Sequence, residues 1–353
     1  MAQLSVIVPV YNVQEYLREA LDSVLDQTLA DIEVVCVDDG STDSSGKILD
    51  EYAAADARVR VIHQDDLGVS AARNRGIAAS SAPVLCFLDP DDALAPQAAE
   101  RIVETFGAYD PDLLVYGAEA IDEQNASVWL RDHLASRDAS FEGFDARILF
   151  TENTRPFIWR IACARRMFEE RGLSFAEGLN LGEDQLFCMC AYPLAQRVRM
   201  ISDVLYRYRP SRPGSLMSKV ATGSPEQLRT HLQVVRRAFA RWDELGILDE
   251  NRDLMLGWLV EFVLYDALRL ADGPCRALFD EAAELLAGYW DAEDLVLHTH
   301  LAAPVWAIVR MSVRHAPLPA WRRMELMVRY YRHREGLKAL MVRFARGGAE
   351  FSA

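Results

Sequence analysis

The sequence predicts an α/β fold, with a mostly parallel sheet flanked by helices and a C-terminal helical module. Short β-branched runs alternate with helix-periodic segments through the first part of the chain, the pattern that builds a parallel sheet covered by helices. After Pro225 the periodicity is helical almost to the end. The chain has 353 residues, 51% of them hydrophobic, enough to bury the core of one large or two ordinary domains.

Strands are expected at residues 5–8, 33–37, 59–62, 84–88 and 113–116, each a short apolar run. A helix follows the first strand, because Val13, Tyr16, Leu17, Ala20, Leu21, Val24 and Leu25 recur at three- and four-residue spacing. Another follows Asp38-Asp39-Gly40-Ser41-Thr42-Asp43, with Ser41, Thr42 or Asp43 as N-cap. The stretch from Gly68 to Gly76 is helix-like, residues 121–140 are polar and irregular, 185–192 helical and 204–208 strand-like. The later helices break at Gly246, at Asp272-Gly273-Pro274 and at His315-Ala316-Pro317.

Composition narrows the partners. The formal net charge of -15 argues against nucleic acid, since neutralising phosphates takes clustered Lys and Arg. The charge is uneven: residues 305–346 hold ten Arg or Lys against Glu325 and Glu335, a local +8. Trp306, Ile308, Trp321, Met324, Met327, Tyr331, Leu340 and Phe344 are interleaved with these bases. Such a basic amphipathic tail fits peripheral contact with an anionic membrane, and equally a homo-oligomer contact or docking on the acidic body. Six scattered cysteines without a CxxC pair indicate reduced thiols in a cytoplasmic protein. The apolar run at residues 4–10 has no basic segment before it and reads as a strand, not a signal peptide. Residues 254–270 carry Glu261, Asp266 and Arg269, too short and too polar a stretch to span a membrane.

Open sheets of this kind bind nucleotides beyond the carboxyl ends of their strands, so the residues there carry most information. The first strand ends in Pro9-Val10-Tyr11-Asn12, without the G-x-G-x-x-G turn of a dinucleotide site. Tyr11 beside Pro9 offers a flat surface for a nucleobase, although ordinary turn chemistry explains it as well. One of Asp38 and Asp39 is free to accept from a base imide N–H, which favours uracil, unless both only shape the turn. Arg73 can bind a diphosphate bidentately or serve a surface ion pair. The fourth strand runs into Asp89-Pro90-Asp91-Asp92, whose carboxylates repel one another and call for a cation. In an extended chain Asp89 and Asp91 face the same side, and oxygen ligands there suit Mg2+ or Mn2+ with substrate phosphates. A phospho-acceptor aspartate pocket and a helix cap before Ala93 are the competing readings.

Val6-Ile7-Val8-Pro9-Val10-Tyr11-Asn12, Asp38-Asp39-Gly40-Ser41-Thr42-Asp43, Ala72-Arg73-Asn74-Arg75-Gly76 and Asp89-Pro90-Asp91-Asp92, in this order and spacing, resemble the inverting family 2 glycosyltransferases, such as those of bacterial cell-surface polysaccharides. The resemblance continues through Phe175-Ala176-Glu177-Gly178 and Gly182-Glu183-Asp184-Gln185-Leu186-Phe187 to Tyr206-Arg207-Tyr208-Arg209. It covers about the first 220 residues and implies the A-type glycosyltransferase fold: a catalytic domain at residues 1–220, with donor half about 1–117 and acceptor half about 118–220, while the helical module at 221–353 carries no diagnostic motif. By the same resemblance Asp39 reads the base, Pro9 and Tyr11 wall it, and Arg73 lies near the diphosphate. Asp91 matches the metal ligand, with Asp89 near the ribose or metal, and Asp184 matches the general base. Two positions depart from the family pattern: Pro90 stands where a small polar residue is common, and Asp66 where Asn is frequent. Pro90 leaves ligation intact, whereas Asp66 bears on the detail of the donor site.

The activity so implied is inverting transfer of a hexose from a nucleotide diphosphate sugar, a UDP-sugar above all, to a hydroxyl of a glycan or lipid-linked glycan. One base suffices when the hydroxyl attacks opposite the leaving nucleotide, and Asp184 opens a helical stretch whose dipole favours its ionised form. The metal, Arg73 and Arg209 would neutralise the leaving diphosphate. Glu183 and Trp159 are the candidate acceptor contacts, Trp159 by stacking on a sugar face, although core packing explains it equally. An N-cap role is the plain alternative for Asp184. The rival function is a catalytically inactive relative that binds sugar or nucleotide as a scaffold, and retention of both Asp91 and Asp184 counts against it. The expected location is the cytoplasm, at the inner face of the membrane if the basic tail binds lipid.

Overall fold

The computed structural model describes residues 1–121, 128–152, 154–155, 157–179, 181–210 and 223–345, with their side chains except at 128–129, 296–298 and 337–345. The chain divides into two compact units, Met1–Pro213 and Gly214–Ala353. The boundary expected at 220 lies outside the described residues.

The strands of the first unit are β1 (Leu4–Val10), β2 (Ile32–Asp39), β3 (Val59–Gln64), β4 (Val84–Phe87), β5 (Ala93–Leu94), β6 (Leu113–Ala120), β7 (Ala139–Glu142), β8 (Ile161–Ala164) and β9 (Arg197–Tyr208). They form one sheet in the order β3-β2-β1-β4-β8-β6-β9-β5, with β7 beside β9. The β3-β2-β1-β4 half is parallel, as is β6 with β9, and β8 runs antiparallel between β4 and β6. All seven residues of β1 are buried, which is why it reads as an unbroken apolar run.

The helices of this unit are α1 (Leu17–Leu25), α2 (Ser45–Ala55), α3 (Val69–Ala79), α4 (Ala98–Tyr109), α5 (Val128–Leu134), α6 (Arg147–Phe150), α7 (Arg166–Glu169) and α8 (Glu183–Leu194). Leu4, Val6, Val8 and Val10 share a core with Leu21 of α1, Ile48 of α2 and Ile102 of α4. Alternation along β1 turns Ile7 to the other face, and α3 packs there. A Cβ at Gly76 would stand 2.6 Å from Ile7 Cγ2, so this approach requires glycine. The expected helix from Val13 begins instead at Leu17, because Tyr16 N and Leu17 N first close a turn on Val13 O.

The ladder between β1 and β4 ends with Leu88 N donating to Ile7 O at 3.0 Å. The next donor in register would be Pro9, which has no N–H, so the chain beyond Leu88 leaves the sheet.

In the second unit Ser224 caps helix Pro225–Glu244, its hydroxyl accepting from Gln227 N at 3.2 Å, with Pro225 at the first helical position. Helix Asp272–Ala287 contains Asp272-Gly273-Pro274 in its first turn, so the expected break falls before it, at Ala271. The tail forms two helices, Ala303–Val313 and Ala320–Ala345, the second kinked at Gly336. Val305, Ile308, Val309 and Met311 are buried within the unit. Trp321 remains 68% exposed. Arg346 and the side chains of Leu340 and Phe344 lie outside the described residues. No helix among the described residues is long and apolar enough to cross a membrane.

Candidate active site

Side chains stitch the loops after β1 and β2 together. Asn12, at φ +48°, accepts from Thr42 N (2.7 Å) and Asp43 N (3.2 Å), and its own N–H donates to Ser41 Oγ (3.1 Å). Gln14 N donates to Asp43 Oδ2 (3.1 Å), and Ser44 N to Gln14 Oε1 (2.8 Å). Ser41, Thr42 and Asp43 are occupied in this way, and the N-cap of α2 is Ser44 instead of any of them. Tyr11 is left 48% exposed, as a base-stacking surface requires. Pro9 is not beside it on that surface, because β1 runs on to Val10 and buries Pro9 in register with Val37.

Asp38 and Asp39 both hold partners within the protein. Asp38 Oδ1 accepts from Ser41 N (3.0 Å) and its Oδ2 meets His63 Nδ1 (2.8 Å). Asp39 accepts from Gln64 Nε2 (2.7 Å), Leu67 N (2.9 Å) and Gly68 N (2.9 Å), so it anchors the loop entering α3. A carboxylate has about four lone-pair sites, which leaves Asp39 one for a base.

Asp89-Pro90-Asp91-Asp92 is a turn and not an extended segment. Asp92 N donates to Asp89 O at 3.0 Å, and Pro90 occupies the second position, where its fixed φ fits. The alternation argument that paired Asp89 with Asp91 therefore fails. The two-residue strand β5 follows, which removes the helix-cap reading. A frame stands behind the turn: the hydroxyl of buried Tyr206 accepts from Asp89 N (3.1 Å) and donates to Asp92 Oδ2 (2.8 Å). Arg209 N donates to Asp92 Oδ1 (2.7 Å) and Arg209 Nε to Asp91 O (2.9 Å). Burial pushes the Asp92 carboxyl well above the usual range, with Asp89 and Asp91 adding to it. The guanidinium of Arg209 also bonds Glu19 (2.7 Å) and lies over Tyr16, so Arg209 braces the turn.

Arg73 ties this turn to the segment from Gly182 to Phe187. It is 4% exposed; Nη2 donates to Asp89 Oδ1 (3.1 Å) and Nη1 to Glu183 Oε1 (3.2 Å). Its Nε–H has no acceptor among the described residues. Burial lowers its pKa, but Asp89, Glu183 and Asp184 outweigh that and raise it, so it is a fixed cation. Its guanidinium stands over Phe175 (5.3 Å), which stacks on Phe187 of α8 (4.2 Å between centroids) and meets Phe87 of β4 edge-on (5.3 Å). Asn74, which the sequence reading passed over, pairs with the backbone of Phe175 in both directions at 2.9 Å and reaches Glu177 Oε1 at 3.0 Å. Its position beside Arg73 in the motif was the only signal.

Gly182, at φ +79°, is the N-cap of α8, so Asp184 lies inside the helix and does not cap it. Asp184 Oδ1 accepts from Gln185 N (2.8 Å). Burial pushes its carboxyl up to about 8 and Glu183 adds to this, while Arg73 and the Gln185 N–H oppose it. The carboxyl is thus raised above the ordinary aspartate range despite its place in the first turn of α8. Glu183, expected at the acceptor, faces Arg73. Trp159 is 4% exposed and stacked with Phe157 (4.7 Å), Tyr206 (4.3 Å) and Tyr208 (5.1 Å), a core position that offers no open face to a sugar. Among the described residues no three His, Cys, Asp or Glu side chains are grouped to hold a metal ion.

The sequence profile of glycosyl transferase family 2 matches residues 5–172. EpsJ of Bacillus subtilis, an uncharacterized glycosyltransferase, is 36% identical over 215 residues, 60% of this chain and 62% of EpsJ. The glycosyltransferase GlyG of Streptococcus pneumoniae is 30% identical over 226 residues, 61% of this chain and 72% of GlyG. The chain belongs to glycosyl transferase family 2. It spans less than two thirds of the length of EpsJ. The solved structure of residues 1–349 of Staphylococcus aureus TarS, in complex with UDP-GlcNAc, matches with a TM-score of 0.76 at 20% identity, covering 95% of this chain and 92% of that one. TarS is described as a poly(ribitol-phosphate) β-N-acetylglucosaminyltransferase. The likeness establishes the A-type glycosyltransferase fold for the chain.

Proposed function

We propose that this chain is an inverting glycosyltransferase that moves a sugar from a nucleotide diphosphate sugar, in particular a UDP-sugar, to an acceptor hydroxyl in cell-surface glycan synthesis. The observation that carries the reading is the Arg73 bridge, in which one buried guanidinium bonds Asp89 after β4 and Glu183 beside Asp184. It joins the residues proposed for donor binding to the proposed base, next to the carboxyl ends of parallel strands where open sheets take nucleotides. The exposed Tyr11 ring would stack on the base, and the remaining acceptor site of Asp39 would take its imide N–H. Arg73, with an Nε–H to spare, suits a diphosphate.

Asp184 would take the proton of the acceptor hydroxyl as it attacks opposite the leaving nucleotide. A carboxyl pushed up to about 8 is suited to that transfer near neutral pH. Asp91 and Asp89, both partly exposed, would hold Mg2+ or Mn2+, with donor phosphates completing the coordination. The ion would supply neutralising charge to the leaving diphosphate. TarS, in complex with UDP-GlcNAc and named for action on poly(ribitol-phosphate), supports a UDP-sugar donor and a cell-surface acceptor for this chain. Six free cysteines fit a reducing cytoplasm.

Incubation with UDP-, GDP- and dTDP-sugars as donors and p-nitrophenyl glycosides as acceptors, with and without Mn2+, tests the reading by nucleoside diphosphate release. Metal-stimulated release of UDP is expected. Binding of these donors with no release would identify a non-catalytic scaffold instead.

A further inference from the structure

We propose that Tyr208 is the platform on which the acceptor sugar docks. The proposal rests on the transferase reading above and deepens it by naming a contact in the same site. Tyr206 and Tyr208 stand two residues apart on β9, so they share a face of the strand, and both stack on Trp159. Their hydroxyls differ. That of Tyr206 is spent on Asp89 N and Asp92 Oδ2, in a fully buried position. Tyr208, the last residue of β9, is partly exposed, and its hydroxyl makes no hydrogen bond among the described residues. A phenol held in place by stacking yet left unpaired is poised for a ligand.

Its surroundings indicate which ligand. Burial raises the phenol's pKa to about 12, and Asp92, Asp89, Asp91 and Asp184 all add to it. Tyr208 stands between Tyr206, whose hydroxyl bonds Asp89 N and Asp92 Oδ2, and Arg209, whose N–H bonds Asp92 Oδ1, so it borders the aspartate turn, where a sugar receiving the transfer has to sit. A sugar ring presents an apolar C–H face and a rim of hydroxyls. The aromatic ring, already immobilised against Trp159, meets the first with little entropy left to lose, and the phenol O–H meets the second. Trp159, enclosed by Phe157, Tyr206 and Tyr208, backs this surface from within.

The test uses the full chain, UDP-hexoses including UDP-GlcNAc as donors and p-nitrophenyl glycosides as acceptor probes, with UDP release as the readout. Tyr208→Leu removes ring and hydroxyl; Tyr208→Phe removes the hydroxyl and keeps the stack. The glycoside KM is expected to rise about tenfold in Tyr208→Leu and about threefold in Tyr208→Phe, with donor KM and UDP release to water unchanged within about twofold. A glycoside KM within about twofold of wild type in both variants overturns the proposal, as does a parallel rise in donor KM. Should Tyr208→Leu fail to fold, the Phe variant decides alone. A wild-type chain that releases no UDP to glycoside or water sinks the transferase reading, and this proposal with it.

Discussion

Asp184 is where the chemistry asked of a residue and the environment given to it pull apart. The base must be ionised to act, yet burial beside Glu183 pushes its carboxyl up to about 8. Turnover is therefore expected to climb as pH rises through about 8 and to level off above it, which kcat measured across that range would reveal. Stability runs the opposite way. An ordinary aspartate in the unfolded chain loses its proton near pH 4, while the folded one keeps it, so stability present at low pH is lost as pH rises towards about 8. Asp184→Asn is accordingly expected to melt higher than wild type at alkaline pH and level with it in acid. An equal shift at both ends would show that the titration is not the cause. Arg73 opposes the upward push on Asp184, and its planar fork spans two carboxylates that a lysine point charge cannot span equally well. Arg73→Lys is expected to weaken the link to Asp89 or Glu183 and to move the alkaline rise in kcat to higher pH.

Elements differ in how plainly the sequence announces them. β1, β2 and β4 are legible because a strand buried on both faces leaves a nearly uninterrupted apolar run, whichever partners it finds, whereas β3, with Val59 alone buried, is legible only through its β-branched residues. β5, β7 and β8 are not, since segments of two or four residues become strands only through partners distant in sequence, such as Ala93 with Arg207 and Ala162 with Cys86. The candidate site divides in the same way. Tyr11, Asp39, Arg73, Asp91 and Asp184 are legible as residue types at strand and helix ends. What each one bonds is not, because Asp39 spends itself on Leu67 and Gly68, and Arg209 on Asp91 O, through contacts that local pattern does not encode. Pro90 departs from the family pattern, and in the turn it supplies the fixed φ of the second position. Gly76 makes an element-scale prediction. With Ile7 Cγ2 fully buried 2.6 Å from where a Cβ would stand, Gly76→Ala overpacks α3 against β1 and should cost about 1–3 kcal/mol in urea melts, lowering donor affinity as Arg73 is displaced.

At the scale of the molecule, the first unit carries every residue assigned to the proposed reaction, and the family profile ends within it at residue 172. The helical unit beyond was legible as helical, whereas the apolar residues of its basic tail that turn inward were not, because charge composition does not say which way they face. Ile308 and Val309 turn inward, at 0% exposure. Ligand linkage acts on the whole fold, so UDP with Mn2+ at about a hundred times its Kd should stabilise the chain by about 2.7 kcal/mol, and Arg73→Ala should remove most of that gain in a thermal melt. The central claim is that the carboxylate beside the Arg73 bridge performs the transfer while the residues across the bridge hold the donor. The measurement that meets it most directly compares wild type and Asp184→Asn at pH about 8, following UDP-sugar affinity and UDP release on the same samples. An unchanged donor affinity and a release rate at least about 100-fold lower are expected of the variant. Release at the wild-type rate by Asp184→Asn would contradict the claim.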